Sequence, residues 1–183
     1  MGKVWSINNN FGENKKIKEN YIFILSFILP MVIMFVVFTS LGVGLIGDKT
    51  IVSSDMYTQY VAYFGKFKDI LSGDGSIFYS FNKSIGGNNI GLFAYYLASP
   101  LNLLLMFFPK AAIGEFIFII YLIKIGLASL CFSLYISKVY KKKDLFVVIF
   151  SLCYALMSYN ICFQMNIMWM DGMMLLPLVA LGI

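Results

Sequence analysis

The sequence contains neither arginine nor histidine, and all 14 of its basic residues are lysines. Without histidine, a Ser-His-Asp triad, a histidine general base and histidine-ligated zinc are excluded within these residues. Without arginine, no planar guanidinium is present to bind a phosphate through two parallel hydrogen bonds. A phosphate would therefore be held by lysine, backbone N–H groups, a helix N-terminus or a bridging metal.

Charge of either sign is also scarce. Charged residues make up 13% of the chain and hydrophobic residues 60%, which is typical of membrane proteins. Residues 21–46 carry no charge and would form a helix about 39 Å long, more than the ~30 Å hydrocarbon core of a bilayer. This run is too long for a cleaved signal peptide, so we expect a retained membrane helix. The net charge of +5 suits lysine-rich cytoplasmic loops and does not point to nucleic acid.

Four apolar blocks predict an all-α polytopic membrane protein, and the lysine distribution predicts that its N-terminus is cytoplasmic. Because residues 15–18 and 141–143 should both be cytoplasmic, the apolar segment 91–108, which Pro100 interrupts, should not span. The chain ends within an apolar run, so we expect it to be the N-terminal part of a longer protein. The predicted segments are a cytoplasmic tail (1–19), a first transmembrane helix (20–46), an extracytoplasmic loop with amphipathic and re-entrant or interfacial helices (47–111), a second transmembrane helix (112–140), a cytoplasmic loop (141–144), a third transmembrane helix (145–164), an outer loop (165–171) and the start of a fourth helix (172–183).

Asp55 is the first candidate for chemistry. It follows the first apolar run and precedes an amphipathic, aromatic-rich segment typical of the membrane interface. It is either a residue that stabilises a helix start, or a general base or metal ligand facing a lipid-borne substrate.

Two further candidates are a loop and a lysine. The loop containing Lys83, Gly87 and Asn88 is either an ordinary tight loop or a set of N–H groups facing an anion. Lys124 lies far from either end of its apolar helix, so it needs a partner. Because no acidic residue is predicted at its depth, we expect that partner to be a ligand or a residue beyond this sequence.

Trp169 and Asp171 form the last candidate pair. Trp169 suits the aromatic belt of a membrane interface. Asp171 is predicted on the same side of the membrane as Asp55, where it is either a solvated loop residue or a partner in catalysis.

Together these motifs resemble the bacterial YfhO-type membrane protein family. The resemblance rests on Ser54-Asp55-x-x-x-Gln59-Tyr60, Gly86-Gly87-Asn88, Tyr95-Tyr96-x-x-Ser99-Pro100-x-Asn102, Leu122-Ile123-Lys124-Ile125-Gly126 and Trp169-x-Asp171 before Leu175-Leu176-Pro177-Leu178. Their order and spacing cover residues 20–183.

The resemblance implies a helical bundle like that of the GT-C glycosyltransferases, with a large first extracytoplasmic loop. It implies sugar transfer in the bacterial cytoplasmic membrane, from a polyprenyl-phosphate-linked donor to an extracytoplasmic acceptor such as lipoteichoic acid, with Asp55 catalytic. Divalent metal dependence is left open, with Asp55 and Asp171 as candidate ligands. The expected substrate-binding residues are Gln59, Tyr60, Lys83, Gly87, Asn88, Lys124, Trp169 and Asp171.

Two other readings remain from the residues alone. A transporter or flippase for a lipid-linked precursor would also explain Lys124 and the interruption at Pro100. A membrane scaffold without activity is the third reading.

Overall fold

The computed structural model describes residues 2–54, 56–81 and 85–182, and within 2–19 the backbone alone. Its α-helices are α1 (Gly2–Ser40), α2 (Val61–Ser72), α3 (Ile90–Leu92), α4 (Ile113–Tyr140), α5 (Leu145–Ala155), α6 (Ser158–Cys162) and α7 (Trp169–Gly182). The first π turn (Met56–Tyr60), the second π turn (Phe93–Leu97) and two 3-10 segments (Pro100–Phe107 and Lys110–Ala112) lie between α1 and α4. A short antiparallel hairpin joins β1 (Tyr79–Ser80) to β2 (Gly87–Asn88). The mostly helical class predicted from the sequence is confirmed.

Helix α4 forms the centre of the bundle, and α1 packs antiparallel against it. The stretches Asn20–Ser40 and Lys110–Tyr140 are long and apolar enough to cross a membrane. At one end, the ring of Phe38 lies 5.6 Å from that of Tyr121. At the other end, Ile22 packs against α5. A β-carbon on Gly126 would lie 2.8 Å from Met31, so the small residue permits this close approach.

The charge-free run ends as a loop. We expected the first helix to extend to residue 46, but α1 ends at Ser40. Gly42 and Gly44 have φ angles of +70° and +103°, in the left-handed region that other residues rarely adopt. The Lys49 N–H donates to the Gly42 carbonyl at 2.9 Å, and the Gly44 N–H donates to the Lys49 carbonyl at 2.9 Å. These bonds close a compact loop in place of a last helical turn.

Residues 41–54, 56–81 and 85–112 form a layer over the start of α4, which we call the cap layer. Phe64 of α2 is fully buried, and its ring lies 5.2 Å from that of Phe116 on α4. The Lys68 ammonium donates to the carbonyl of Met106 at 2.8 Å, near the end of the longer 3-10 segment. Lys110, just ahead of α4, forms an ion pair with Asp69 of α2. Aromatic packing thus fixes the cap layer to the bundle, and the two polar contacts join parts of the cap layer to one another.

The interruption predicted at Ser99-Pro100 is present in the cap layer. The helical stretches Ile90–Leu97 and Pro100–Phe107 meet at 90°. Asn102 is buried, and its Nδ2 donates to the carbonyl of Leu97 at 3.2 Å. This bond satisfies a carbonyl at the end of the first helical stretch, where the bend interrupts the helical hydrogen bonds. We call these two helical stretches the broken pair. That the broken pair does not cross the membrane stays a prediction.

A second interruption was not expected. We predicted one helix over 145–164, but α5 ends at Ala155 and α6 begins at Ser158. Asn160 is buried, and its Nδ2 donates to the carbonyl of Ala155 at 3.0 Å and to that of Tyr154 at 3.2 Å. Both breaks therefore use an asparagine five residues after the last carbonyl of the preceding helix.

The same region supports α7. Pro177 lies inside α7 and has no N–H to donate to the carbonyl of Met173, one turn earlier. The Tyr154 hydroxyl donates to that carbonyl at 2.7 Å. A side chain of α5 thus replaces the backbone bond that proline removes, and it fixes α7 against the bundle.

Candidate functional site

A buried ion pair lies between the two helices that share the most extensive packing, α4 and α7. The Lys124 side chain is 1% exposed, and its ammonium lies 2.9 Å from Asp171 Oδ2. The ammonium also donates to the carbonyl of Ile167 at 2.9 Å. Because an unpaired charge among apolar helices is very costly, these two partners explain how Lys124 is tolerated.

The expectation that Lys124 has its partner outside this sequence is wrong. It depended on Asp171 lying in an outer loop ahead of a helix that begins at residue 172. The structure begins α7 at Trp169, so Asp171 lies in the first turn of α7, at the level of Lys124. That level is about 24 Å along α4 from Tyr140 and about 16 Å from Ile113.

The second oxygen of Asp171 joins this pair to the cap layer. Ser99 Oγ donates to Asp171 Oδ1 at 3.1 Å. Ser99 has an extended backbone, as expected for a residue that precedes proline, and it stands at the bend of the broken pair. Three distant parts of the chain therefore meet in one group, Ser99, Lys124 and Asp171, which we call the junction cluster.

A second polar contact lies within the cap layer. The Tyr96 hydroxyl donates to Gln59 Oε1 at 2.9 Å. The Tyr96 ring also lies 5.3 Å from that of Tyr60, which is 1% exposed. Gln59 and Tyr60 belong to the first π turn and Tyr96 to the second. Such π turns are rare in proteins overall, and those that occur are often found at functional sites.

The two groups adjoin through the broken pair, since Tyr96 and Ser99 are three residues apart. The structure thus brings Gln59 and Tyr60 together in one group and Lys124 and Asp171 together in the other. Trp169 is 39% exposed and lies two residues before Asp171 on the same helix.

The remaining predicted residues fall elsewhere. Gly87 pairs with Ser80 in the hairpin, and Asn88 Oδ1 accepts a hydrogen bond from the Ile90 N–H at 2.8 Å. Asn88 therefore supports the start of α3. Asp55 and Lys83 lie outside the described residues.

Ser99 was not predicted as a site residue, and Tyr96 was not predicted to pair with Gln59. Ser99 and Tyr96 both belong to the motif Tyr95-Tyr96-x-x-Ser99-Pro100-x-Asn102. The signal that was available is a polar residue beside a helix-breaking proline in an otherwise apolar segment.

The arrangement of the junction cluster is suited to holding elements in place. Both carboxylate oxygens of Asp171 are bound by protein groups, and the Lys124 ammonium is buried against two acceptors. In the part of the chain that the structure describes, no three Asp, Glu or Cys side chains lie close enough together to hold a metal ion.

Two apolar helices of membrane-crossing length and a buried ion pair between apolar helices define a helical membrane protein. The family model described as "Bacterial membrane protein YfhO" matches residues 26–183, and the chain belongs to this family. The family resemblance read from the motifs is therefore confirmed. Comparison with curated proteins and comparison with solved structures each find no match.

Proposed function

We propose that this chain belongs to a membrane glycosyltransferase of the GT-C type. It would transfer a sugar from a polyprenyl-phosphate-linked donor to an extracytoplasmic cell-envelope polymer such as lipoteichoic acid. The observation that carries the proposal is the junction cluster. In it, Ser99 from a family motif of the cap layer contacts Asp171 of α7, which in turn binds Lys124 of α4 at the same depth in the bundle.

The depth of that cluster supports a lipid-borne donor. With lysines 141–143 at the cytoplasmic headgroups, Lys124 lies about 24 Å along α4 from the cytoplasmic end of the helix. In a hydrocarbon core of ~30 Å, this is the outer part of the membrane, close to the phosphate of a lipid in the outer leaflet. The cap layer would then face the extracytoplasmic side, and the N-terminus would be cytoplasmic.

The proposed chemistry is a single displacement. The acceptor hydroxyl oxygen forms a bond to the anomeric carbon of the sugar. The bond from that carbon to the phosphate oxygen breaks, and its electron pair leaves with the polyprenyl phosphate. A carboxylate takes the hydroxyl proton, and we assign this role to Asp55.

The other predicted residues receive different roles in this proposal. Gln59, Tyr60 and Trp169 are proposed to contact the substrates. Lys83, Gly87 and Asn88 remain proposed contacts of the leaving phosphate.

Lys124 and Asp171 are proposed as positioning residues, because each is occupied by protein partners. For the same reason Asp171 does not fit the role of a metal ligand, and no step is assigned to a metal.

Replacement of Asp55 by asparagine tests the assignment. Asparagine keeps the size and much of the helix-capping ability of aspartate but cannot accept the proton. We expect Asp55→Asn to lower sugar transfer by about 10²–10⁴-fold, the usual contribution of a general base. The measurement is incorporation of labelled sugar by membranes that contain the protein.

Asp74→Asn is the matched control, since Asp74 is an exposed aspartate of the cap layer. We expect it to leave transfer unchanged. Near-normal transfer by the Asp55→Asn protein would show that Asp55 is not the base.

A transporter or flippase for a lipid-linked precursor is the second candidate. The 90° bend at Ser99-Pro100 favours it, because broken helices often form transport sites. A flippase would change the membrane side of the lipid without any acceptor and would not need Asp55, so lipid sidedness measured without acceptor separates the two functions.

A further inference from the structure

A groove lies between the last turns of α4 and the first turns of α5, at the end of α4 opposite to the cap layer. Its volume is about 430 Å³, within the usual range of ligand-binding pockets. Both of its walls carry aromatic and aliphatic side chains. They include Phe132, Tyr135 and Ile136 on α4 and Phe146, Val147 and Phe150 on α5.

The groove has one charged end and one apolar end. The two charged residues of its lining, Lys142 and Asp144, both lie in the loop that joins α4 to α5. At the other end, Phe132 lies eight residues before Tyr140, or about 12 Å along α4. Because α4 is long and apolar enough to cross a membrane and ends at Tyr140, this loop lies at a membrane boundary. The groove therefore runs from the headgroup region into the hydrocarbon, with the same change of polarity as a phospholipid.

The apolar part of the groove is accessible from the surrounding bilayer. Val147 is 1% exposed and lies at the bottom, whereas Phe146 and Phe150 are 65% and 53% exposed. The ring of Phe132 stacks on that of Tyr154 with 4.4 Å between the centroids, which fixes the inner end. An acyl chain could thus enter sideways and pack against rings that are already held in place.

The two charged residues are not used by the protein. Lys142 is exposed and Asp144 is half-buried, and neither forms an ion pair in the part of the chain that the structure describes. Asp144 stands at the N-cap of α5, yet its side chain makes no capping bond. Two residues span at most about 7 Å, so an ammonium and a carboxylate stand close together at the mouth of the groove. This pair is complementary to a headgroup that carries a phosphate and an ammonium.

We propose that this groove binds a phospholipid with an amine-bearing headgroup. One acyl chain lies between α4 and α5, the phosphate contacts Lys142 and the ammonium contacts Asp144. The neighbouring lysines 141 and 143 attract any anionic lipid, so Asp144 is the residue that selects the ammonium. The site lies at the other end of α4 from the cap layer and does not depend on the proposed sugar transfer.

Native mass spectrometry of the full chain in detergent tests the site. Phosphatidylethanolamine and phosphatidylglycerol with identical acyl chains are added in equal amounts, since only the first carries an ammonium. We expect phosphatidylethanolamine to be retained about fivefold more, the size of effect that one exposed charge contact produces. Asp144→Asn should remove this preference, and Lys142→Gln should lower retention of both lipids. Lys138→Gln is the matched control, because Lys138 is an exposed lysine at the same end of α4 that does not line the groove.

Two further measurements test whether a chain occupies the groove. Ile136→Trp would fill the apolar part and should lower retention of both lipids, and its melting temperature reports whether it folds. Glycerophosphoethanolamine, which has the headgroup but no acyl chain, should not displace the bound lipid.

Four results would overturn the proposal. They are equal retention of the two lipids by the unaltered protein, an unchanged preference in the Asp144→Asn protein, an equal effect of Lys138→Gln and Lys142→Gln, and displacement of the lipid by glycerophosphoethanolamine. A dimer without retained lipid would also overturn it, because a second copy of the chain would then be the occupant.

Discussion

Breaking the ion pair between Lys124 and Asp171 should be far more damaging than removing it completely. In Asp171→Asn, the ammonium of Lys124 stays 1% exposed with only the Ile167 carbonyl and a neutral amide near it. Loss of one partner from such a buried pair typically costs about 3–5 kcal/mol of unfolding free energy. Three kcal/mol corresponds to roughly a 150-fold change in the unfolding equilibrium constant.

Lys124→Met removes the buried charge itself. The Asp171 side chain is 24% exposed and keeps its bond to Ser99, so the expected loss is only about 1–2 kcal/mol. The double variant should be about as stable as Lys124→Met alone. The coupling free energy between the two sites then equals the cost of Asp171→Asn, about 3–5 kcal/mol.

The assay is a double-mutant cycle by reversible unfolding in detergent micelles, followed by far-UV circular dichroism. The ion pair between Lys110 and Asp69 is the matched control, because it lies in the same protein with side chains 55% and 30% exposed. An exposed pair should couple by less than about 1 kcal/mol. If Lys124 and Asp171 couple no more strongly than this control pair, the buried ion pair does not hold α7 to α4.

Two further substitutions test the packing that positions the cluster. Tyr154→Phe should lower stability by about 1–2 kcal/mol, because the carbonyl of Met173 would lose the hydroxyl that donates to it in place of the missing Pro177 N–H. The same assay with Tyr159→Phe, an exposed tyrosine, should show no change. Gly126→Leu should lower stability by about 1–3 kcal/mol, because its side chain would collide with Met31 and Phe27, whereas Gly172→Leu, where a β-carbon would meet nothing within 4 Å, should not. Stability at or above wild type for Tyr154→Phe or Gly126→Leu would contradict the packing described above.

Local sequence patterns predicted part of this fold. The charge-free run and the apolar run after residue 110 correspond to the two long helices, because burial of a helix in lipid requires a sustained apolar length. Pro100 marked the bend of the broken pair, because proline disfavours a helical residue before it. Each of these signals depends on neighbouring residues alone.

Other features depended on contacts that local patterns do not contain. The break after Ala155 has no glycine or proline, and only the contact made by Asn160 accounts for it. Gly42 and Gly44 are tolerated in membrane helices, so the apolar run gave no sign that α1 would end at Ser40.

The junction cluster was missed for the same reason. Lys124 and Asp171 are distant in the sequence, and their pairing follows from the start of α7 at Trp169. The predicted helix began at residue 172, three residues after the observed start of α7 at Trp169, so Asp171 was assigned to a loop.

We propose that the protein transfers a sugar on the extracytoplasmic side of the membrane. The most direct test of this proposal compares right-side-out with inside-out vesicles that contain the protein and a lipid-linked labelled sugar in both leaflets. A polymeric acceptor that cannot cross the bilayer is added outside. We expect labelled polymer to form with right-side-out vesicles and not with inside-out vesicles. Labelled polymer in inside-out vesicles alone, or in neither preparation, would contradict the claim.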